Sequence, residues 1–344
     1  MKRAILTNNS PAYIDHLIPL SLFLNTPLLT YSTSFLEAKE FYPTFDLRYV
    51  KEPYQLTTLM QDFDTYYSCL SKSIFEKYFF LQSVLLNKKL KNIWVPHGNS
   101  DKGLINYCIK TYQDNSYALI YGKRLINCFK ELGFSFDNHL FCGNFRYFIY
   151  KKYKKFFDNL FYEKILQFLP KNNKNILYAP TWNDKENFSF PSAINKLARN
   201  LPDHFNLLIK PHPNHIKEDY YELDLFVEKF KDKKNLIFIR DFPPVYPILN
   251  ATDLFIGDIS SVCYDFLTFN KPMFFLNQNI RKLYLYKTGM EIFEKNYNNI
   301  FQIIENFLEK EDKFSKIRQE TYDHTFEDIK CFDKLKKEIL TFGI

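Results

Sequence analysis

Residues 253–266, Asp-Leu-Phe-Ile-Gly-Asp-Ile-Ser-Ser-Val-Cys-Tyr-Asp-Phe, constrain the fold more than any other stretch. The apolar run from Leu254 to Gly257 has the length of a buried strand, and helical spacing resumes at Ser260 and Ser261. A strand that becomes a helix within a sharp turn at Asp258 is the mark of an α/β chain. The turn points two hydroxyls and the unpaired N–H groups of a helix start at one spot. The helix dipole adds partial positive charge there, so the spot suits a phosphate. Upstream, Leu207-Leu208-Ile209 runs directly into Lys210-Pro211-His212-Pro213. A lysine and a histidine held between two prolines at a strand end suit the same kind of group. Two such loops in one α/β half point to a diphosphate-bearing ligand.

The rest of the chain repeats the pattern. Apolar runs at 3–6, 27–31, 93–95 and 118–120 predict strands, and 12–24, 73–86 and 122–132 predict helices. In the second half, strands are expected at 175–179, 205–209, 236–239, 254–257 and 272–276, with helices at 191–200, 244–250 and 260–269. Strands separated by helix-length segments predict two parallel-sheet, doubly wound α/β domains, for which 344 residues suffice. The expected division is an N-terminal domain at 1–150, a linker helix at 151–174 and a C-terminal domain at 175–311. A charged helical end at 312–344 would pack back on the first domain. Only eight glycines are present, with no GxGxxG after the first strand and no GxxxxGK[ST] anywhere. A dinucleotide-type Rossmann domain and a P-loop NTPase are therefore poorly supported.

The formal net charge of +7 suits anionic substrates or an anionic membrane surface, but falls short of the dense basic blocks of nucleic-acid tails. No nucleic-acid partner is expected. Six cysteines without a CxxC pair indicate neither zinc site nor disulfide framework, and so a reducing compartment. Asn8, Asn9, Asp15 and His16 interrupt any signal peptide, and Pro19, Asn25 and Pro27 break the following apolar stretch well short of a membrane span. A cytoplasmic location is expected.

Each candidate site residue has a plain alternative. His97, in Trp94-Val95-Pro96-His97-Gly98, sits on a constrained turn at a strand end, where an imidazole can accept a hydroxyl proton. It could instead bond a neighbouring carbonyl. Lys210 and His212 either neutralise phosphate oxygens or serve as a surface ion pair and a helix cap. The flanking prolines favour the first. Ser260 and Ser261 can cap the helix and bind phosphate with the same groups. Asp258 either orients a ribose hydroxyl or forms the turn, and Asp265 either joins the site or pairs with a basic neighbour. Thr181, in Tyr178-Ala179-Pro180-Thr181-Trp182, can donate to a phosphate. Arg146 either reaches the ligand or stays at the surface. Asp62-Phe63-Asp64 has the spelling of a metal-binding DxD without a clear strand before it, so no metal or other cofactor is expected. The cluster at 150–155 reads equally as a solvated helix face or as a patch for acidic lipid head groups.

Taken together, these residues resemble one family. ILYAPTW (176–182), LIKPHP (208–213) and DLFIGDISSVCYDFLTFNKPMFF (253–275) are similar to the signature blocks of the CDP-glycerol glycerophosphotransferases, the teichoic-acid polymerase and primase group. VPHG (95–98) resembles their amino-terminal histidine motif. YGKRLINCFKELGF (121–134) and GNFR (143–146) resemble the segment leading to a GxPR-like element. The resemblance covers roughly 93–276 and implies a GT-B fold, two Rossmann-like domains facing a cleft. It implies a cytidine-diphosphate donor bound mainly by the second domain. His97 matches the proposed catalytic base, His212 the histidine of the phosphate-contacting motif, and Ser260-Ser261 the DYSS block. Ile259 stands where that block usually has tyrosine, Phe145 replaces the proline of GxPR, and Asn99-Ser100-Asp101-Lys102 departs from the usual continuation. The first 90 residues lie outside the resemblance and would shape acceptor recognition. The implied activity moves glycerol-phosphate or a related polyol-phosphate from a CDP-activated donor to a hydroxyl of a cell-surface glycan or lipid-linked acceptor, releasing CMP. It would do so in the cytoplasm, peripherally at the inner membrane surface. Two other readings stay open: a GT-B glycosyltransferase using a CMP- or UDP-sugar, and a non-catalytic nucleotide- or carbohydrate-binding protein.

Overall fold

The computed structural model describes residues 2–101, 117–131, 133, 138–182, 188–218, 220–278 and 283–343. Lys102, Cys108, Leu132 and Phe134, which figure in the expectations above, lie outside the described residues. The chain divides into two compact units: Met1–Asn99, Leu104–Phe156 and Asp323–Ile344 form the first, Ser100–Gly103 and Phe157–Tyr322 the second.

The first unit is built on seven strands: β1 (Arg3–Leu6), β2 (Leu28–Thr30), β3 (Leu47–Tyr49), β4 (Thr65–Ser68), β5 (Lys91–Trp94), β6 (Ala118–Ile120) and β7 (His139–Phe141). Their order is β3-β2-β1-β4-β5-β6-β7, and every pairing is parallel. Parallel strands need helices on both faces, so the central ones are buried throughout; Ala4, Ile5 and Leu6 of β1 are fully buried. The helix Ile14–Leu24 is buried along almost its whole length and stops at Asn25, whose φ of 54° ends it in the left-handed region. The end of the chain belongs to this unit: Arg3 donates to the carbonyls of Ile339 (3.1 Å) and Phe342 (2.8 Å). Gly122 is fixed by close packing there, because a Cβ would lie 2.6 Å from the carbonyl oxygen of Thr325.

The second unit carries six strands: β8 (Lys174–Tyr178), β9 (Phe205–Ile209), β10 (Leu236–Phe238), β11 (Leu254–Gly257), β12 (Met273–Asn277) and β13 (Met290–Phe293). Their order is β10-β9-β8-β11-β12-β13, again all parallel. Ile176, Leu207, Ile209, Ile256 and Phe274 pack into one core with the helix Phe190–Asn200. Cutting one of these side chains to alanine would cost about 2–5 kcal/mol. Each unit is thus a doubly wound α/β layer of the expected GT-B-like class. In each, the strand order reverses direction at one place, between β1 and β4 and between β8 and β11. Open parallel sheets bind ligands outside the carboxyl ends of the strands at such a point.

Two long helices expected from the sequence are each broken in two. The stretch 73–86 divides at Phe79 (φ −112°, ψ 18°), which lets Phe75 and Phe79 both reach the core with rings 4.9 Å apart. The linker helix expected at 151–174 begins earlier and divides at Tyr153, into Phe145–Lys152 and Lys154–Lys164. Strands β3, β4, β7 and β13 have no counterpart among the sequence expectations. The central β4 reads Thr-Tyr-Tyr-Ser, which looks polar, yet all four residues are buried. It is buried because its hydroxyls are satisfied. Tyr66 donates to the carbonyls of Met60 and Phe63, both at 3.0 Å, and Tyr67 to that of Ile339 at 2.8 Å. Asp64, just before β4, lies 3.8 Å from Lys88, and among the described residues no group of three His, Cys, Asp or Glu could hold a metal.

Candidate active site

In the second unit three loops leave neighbouring strands at the carboxyl edge. Thr181 and Trp182 follow β8, Lys210 to Pro213 follow β9, and Asp258 to Ser261 follow β11. Because β9, β8 and β11 are adjacent, segments almost eighty residues apart in sequence meet at the reversal point. Asp258 ties the loops after β8 and β11 together. It is fully buried, and both of its oxygens are used. Oδ1 accepts from the backbone N–H groups of Thr181 (2.9 Å) and Ile259 (2.7 Å). Oδ2 accepts from Ser189 N (3.2 Å) and Ser189 Oγ (2.8 Å), and the Tyr178 hydroxyl lies 2.9 Å from the same Ser189 Oγ. Burial raises the Asp258 pKa, and the four donors partly offset that rise. Of its two expected roles, the geometry gives the turn former.

Ser260 is almost wholly buried and caps the helix Ser261–Phe266, its Oγ accepting from Val262 N at 3.4 Å. Ser261 stands at the first helical position and is partly exposed. Asp265 is buried inside the same helix and accepts from the Tyr246 hydroxyl at 3.2 Å. Lys210 donates from Nζ to the carbonyl of Phe242 at 2.9 Å, which fixes the ammonium beside the loop. His212 accepts the N–H of Asn214 at Nδ1 (3.1 Å), so in its neutral form the ring proton sits on Nε2. Its ring lies 6.2 Å from that of Trp182, centroid to centroid. Thr181, Lys210, His212, Asp258, Ser260 and Ser261 therefore share one edge of one sheet.

His97 and Arg146 lie in the first unit. His97 follows β5, and Gly98 after it has φ 118°, a left-handed conformation that glycine alone adopts without strain. Burial pushes the His97 pKa down to about 4, so the ring is neutral near pH 7. Its Nδ1 is enclosed and has no hydrogen-bond partner among the described residues. The ring is positioned by packing instead, 5.1 Å from the Tyr13 ring and edge-on to His16 at 6.4 Å. A short relay fixes the turn from behind. The Tyr121 hydroxyl donates to Pro96 O (3.2 Å), which leaves its oxygen to accept from His16 Nδ1 (3.1 Å). His16 is held neutral by burial first, then by the nearby Arg146 charge. Arg146 is buried, with Nε on the carbonyl of Asp15 (2.7 Å) and Nη2 on its carboxylate (2.5 Å), and Tyr42 donates to the other carboxylate oxygen at 2.9 Å. The surface alternative for Arg146 gives way to a buried ion pair that anchors the helix carrying His16.

Four further residues shape these sites without a local signal strong enough to find them. Ser189 is visible only as a residue before a helix, and His16 and Tyr121 only as members of apolar stretches. Asp101 lies four positions beyond His97, is grouped with the second unit, and accepts from the Tyr264 hydroxyl (2.6 Å) and Leu285 N (2.9 Å).

Comparison with known proteins bears on the same region. The family model for CDP-glycerol:poly(glycerophosphate) glycerophosphotransferase matches residues 159–334. The teichoic acid glycerol-phosphate primase of Bacillus spizizenii is 35% identical over 109 residues, which is 31% of this chain and 26% of the relative. That of Bacillus subtilis is 27% identical over 239 residues, 63% of this chain and 58% of the relative. The chain thus spans between about a quarter and six-tenths of these two relatives. Among solved structures, the wall teichoic acid polymerase TagF superposes with TM-score 0.68 at 16% identity, covering 98% of this chain and 88% of that one. Anabaena Alr3699/HepE in complex with UDP-glucose superposes with TM-score 0.56 at 12% identity, covering 99% of each chain. At such identities the structural likenesses carry the fold, while the family model carries the kinship: the chain belongs to the CDP-glycerol:poly(glycerophosphate) glycerophosphotransferase family.

Proposed function

We propose that the chain transfers glycerol-phosphate, or a related polyol-phosphate, from a CDP-activated donor to a hydroxyl of a cell-surface glycan or lipid-linked acceptor, releasing CMP. The observation that carries this reading is the meeting of Thr181, Lys210, His212 and Ser261 at the carboxyl edge of three adjacent strands, where Asp258 braces the turns that carry Thr181 and Ser261. Those side chains supply a cation, two hydroxyls and an imidazole N–H, a donor set suited to the oxygens of a pyrophosphate. Ser260 caps the same turn, and Asp258 serves the donor through the loops it fixes. Arg146 supports the His16 helix.

In the reaction, the acceptor oxygen attacks the phosphorus that bears the polyol, and the bond from that phosphorus to the bridging oxygen breaks. The bridging oxygen leaves with CMP. His97, neutral at pH 7, takes the acceptor's proton, a contribution of typically ~10²–10⁴-fold. Lys210 and the Nε2–H of His212 offset the negative charge that grows on the leaving phosphate. No helix among the described residues is long and apolar enough to cross a membrane, and peripheral attachment would bring a lipid-linked acceptor within reach.

The test is incubation of the pure protein with a panel of CDP-polyols, CMP- and UDP-sugars and glycan acceptors, with product masses measured. A product heavier by a polyol-phosphate, with CMP released, supports the proposal. Sugar transfer without phosphate would refute it in favour of a glycosyltransferase. Tight CDP binding with no product from any acceptor would refute it in favour of a binding protein.

A further inference from the structure

Strands β4, β5 and β6 are parallel neighbours, so their amino ends share one edge of the first sheet, opposite the edge that carries His97. A cavity of about 370 Å³ opens at these amino ends. That lies within the range of small-molecule sites, about 300–1,000 Å³. Among its walls, Lys91 begins β5, Lys89 stands two positions earlier, and Tyr117 directly precedes β6. The helix Lys72–Tyr78 adds Lys72, Phe75 and Glu76. All of these residues belong to the first unit. The walls are fixed by their own contacts. Phe75 is buried in the core, and the Tyr117 ring meets that of Phe342 edge-on at 5.4 Å. Asn92, also on the lining, donates to Leu70 O (2.9 Å) and accepts from the Ser68 hydroxyl (2.8 Å).

Charge says what such a cavity would hold. Lys91 Nζ lies 4.3 Å from the centre of the Tyr117 ring, and neither Lys89 nor Lys91 makes an ion pair among the described residues. Arg3, buried in β1, donates to the Tyr67 hydroxyl (2.8 Å) and to the carbonyls of Ile339 and Phe342. Its Nε has no hydrogen-bond partner, and its charge meets no carboxylate, among the described residues. Desolvation first, and then the Arg3 charge, hold the Lys91 pKa below its ordinary value. Cations without counter-charge beside a cavity call for an anion. Of the two acids on the lining, Asp64 already faces Lys88 at 3.8 Å. Glu76 makes no ion pair among the described residues. A carboxylate there repels a wholly anionic guest but accepts from hydroxyls. The cavity therefore suits a molecule with an anionic head and a hydroxylated body. Three ammonium groups match the several accepting oxygens of a phosphate better than the two of a carboxylate.

We propose that Lys72, Lys89 and Lys91, together with Glu76, bind a small soluble polyol- or sugar-phosphate at the amino edge of the first sheet. This is a site apart from the transfer chemistry, at the far end of β5 from His97. The inference rests on the cavity and its charges, not on the roles proposed for His97 or the second unit.

The experiment is isothermal titration calorimetry of the full chain with α-glycerol phosphate, inorganic phosphate, gluconate and glycerol, with and without excess CDP. The expected result is binding of α-glycerol phosphate that CDP does not displace, at least tenfold tighter than that of inorganic phosphate or gluconate, and no binding of glycerol. The double variant Lys89→Met/Lys91→Met should bind it at least tenfold more weakly. Glu76→Leu should narrow the preference for α-glycerol phosphate over inorganic phosphate by at least threefold, since it removes the acceptor for the hydroxyls. Lys89 and Glu76 are exposed and Lys91 is half-buried, so far-ultraviolet circular dichroism should match the parent. Lys89→Met alone, at an exposed position, repeats the test should the double variant unfold. No binding, displacement by CDP, undiminished binding by the lysine variants, or gluconate binding as tightly would each overturn the proposal. None of these outcomes touches the transfer reading, which product masses test separately.

Discussion

Replacing Asp258 by asparagine changes one atom and puts the brace of the second unit to the test. With the amide oxygen in place of Oδ1, the bonds from Thr181 N and Ile259 N survive, now to a neutral acceptor. Each drops from the charge-assisted to the ordinary range, about 1 kcal/mol apiece. The amide nitrogen then faces Ser189, whose Oγ can turn to accept but whose N–H cannot. Ser189 is fully buried, so an orphaned N–H there costs about 1–3 kcal/mol. Against this about 3–5 kcal/mol stands the relief of no longer burying a carboxylate, which the raised pKa shows is real. A net loss of about 2–3 kcal/mol is expected. The assay is urea unfolding followed by Trp182 fluorescence in a Trp94→Phe background, since these are the two tryptophans of the chain. The background substitution lies in the other unit. A change below about 0.5 kcal/mol, or a gain, would show that Asp258 does not hold the turn after β11 to the segment carrying Thr181 and Ser189.

Four other outcomes follow from the same geometry. His97→Ala should lower transfer by at least ~10²-fold while leaving donor affinity unchanged, and more than a tenth of parental turnover would remove His97 as the base. Because burial holds the His97 pKa near 4, below its ordinary 6.5, the unfolded chain binds the extra proton between these values. Its stabilising contribution is full above pH 6.5 and is lost as pH falls toward 4, so His97→Gln should lessen the acid loss by up to about 2 kcal/mol in unfolding measured at pH 4.5 and 7. Lys210→Met removes a charge-assisted contact, and the donor KM should rise about 10–100-fold with a smaller change in kcat. Tyr121→Phe orphans the buried His16 Nδ1–H and Pro96 carbonyl, for a stability cost of about 1–3 kcal/mol by urea unfolding.

Much of this was legible in the amino-acid order where apolar residues did the talking. Arg3–Leu6, Phe205–Ile209 and Leu254–Gly257 stand at the expected positions because a doubly covered parallel strand is mostly apolar, and three or more apolar residues in a row mark each of them. Lys210, His212, Asp258 and Ser261 could be named because a strand end followed by a breaker is where such sheets hold ligands. What escaped was set by partners distant in sequence. Strand β4 hides behind two tyrosines whose hydroxyls are satisfied by Met60, Phe63 and Ile339, and no local rule reveals that. Arg146 looks like a surface cation until Asp15, 131 positions away, takes it inside. Ser189 earns its place only once Asp258 lies beside it.

The proposed reaction is phosphoryl rather than glycosyl transfer. It is tested most directly with CDP-glycerol labelled at the phosphorus next to the glycerol. The label should pass to the acceptor, one equivalent for each CMP released, and should do so far more slowly in His97→Ala. Label that stays with the nucleotide as CDP while the acceptor grows would contradict it.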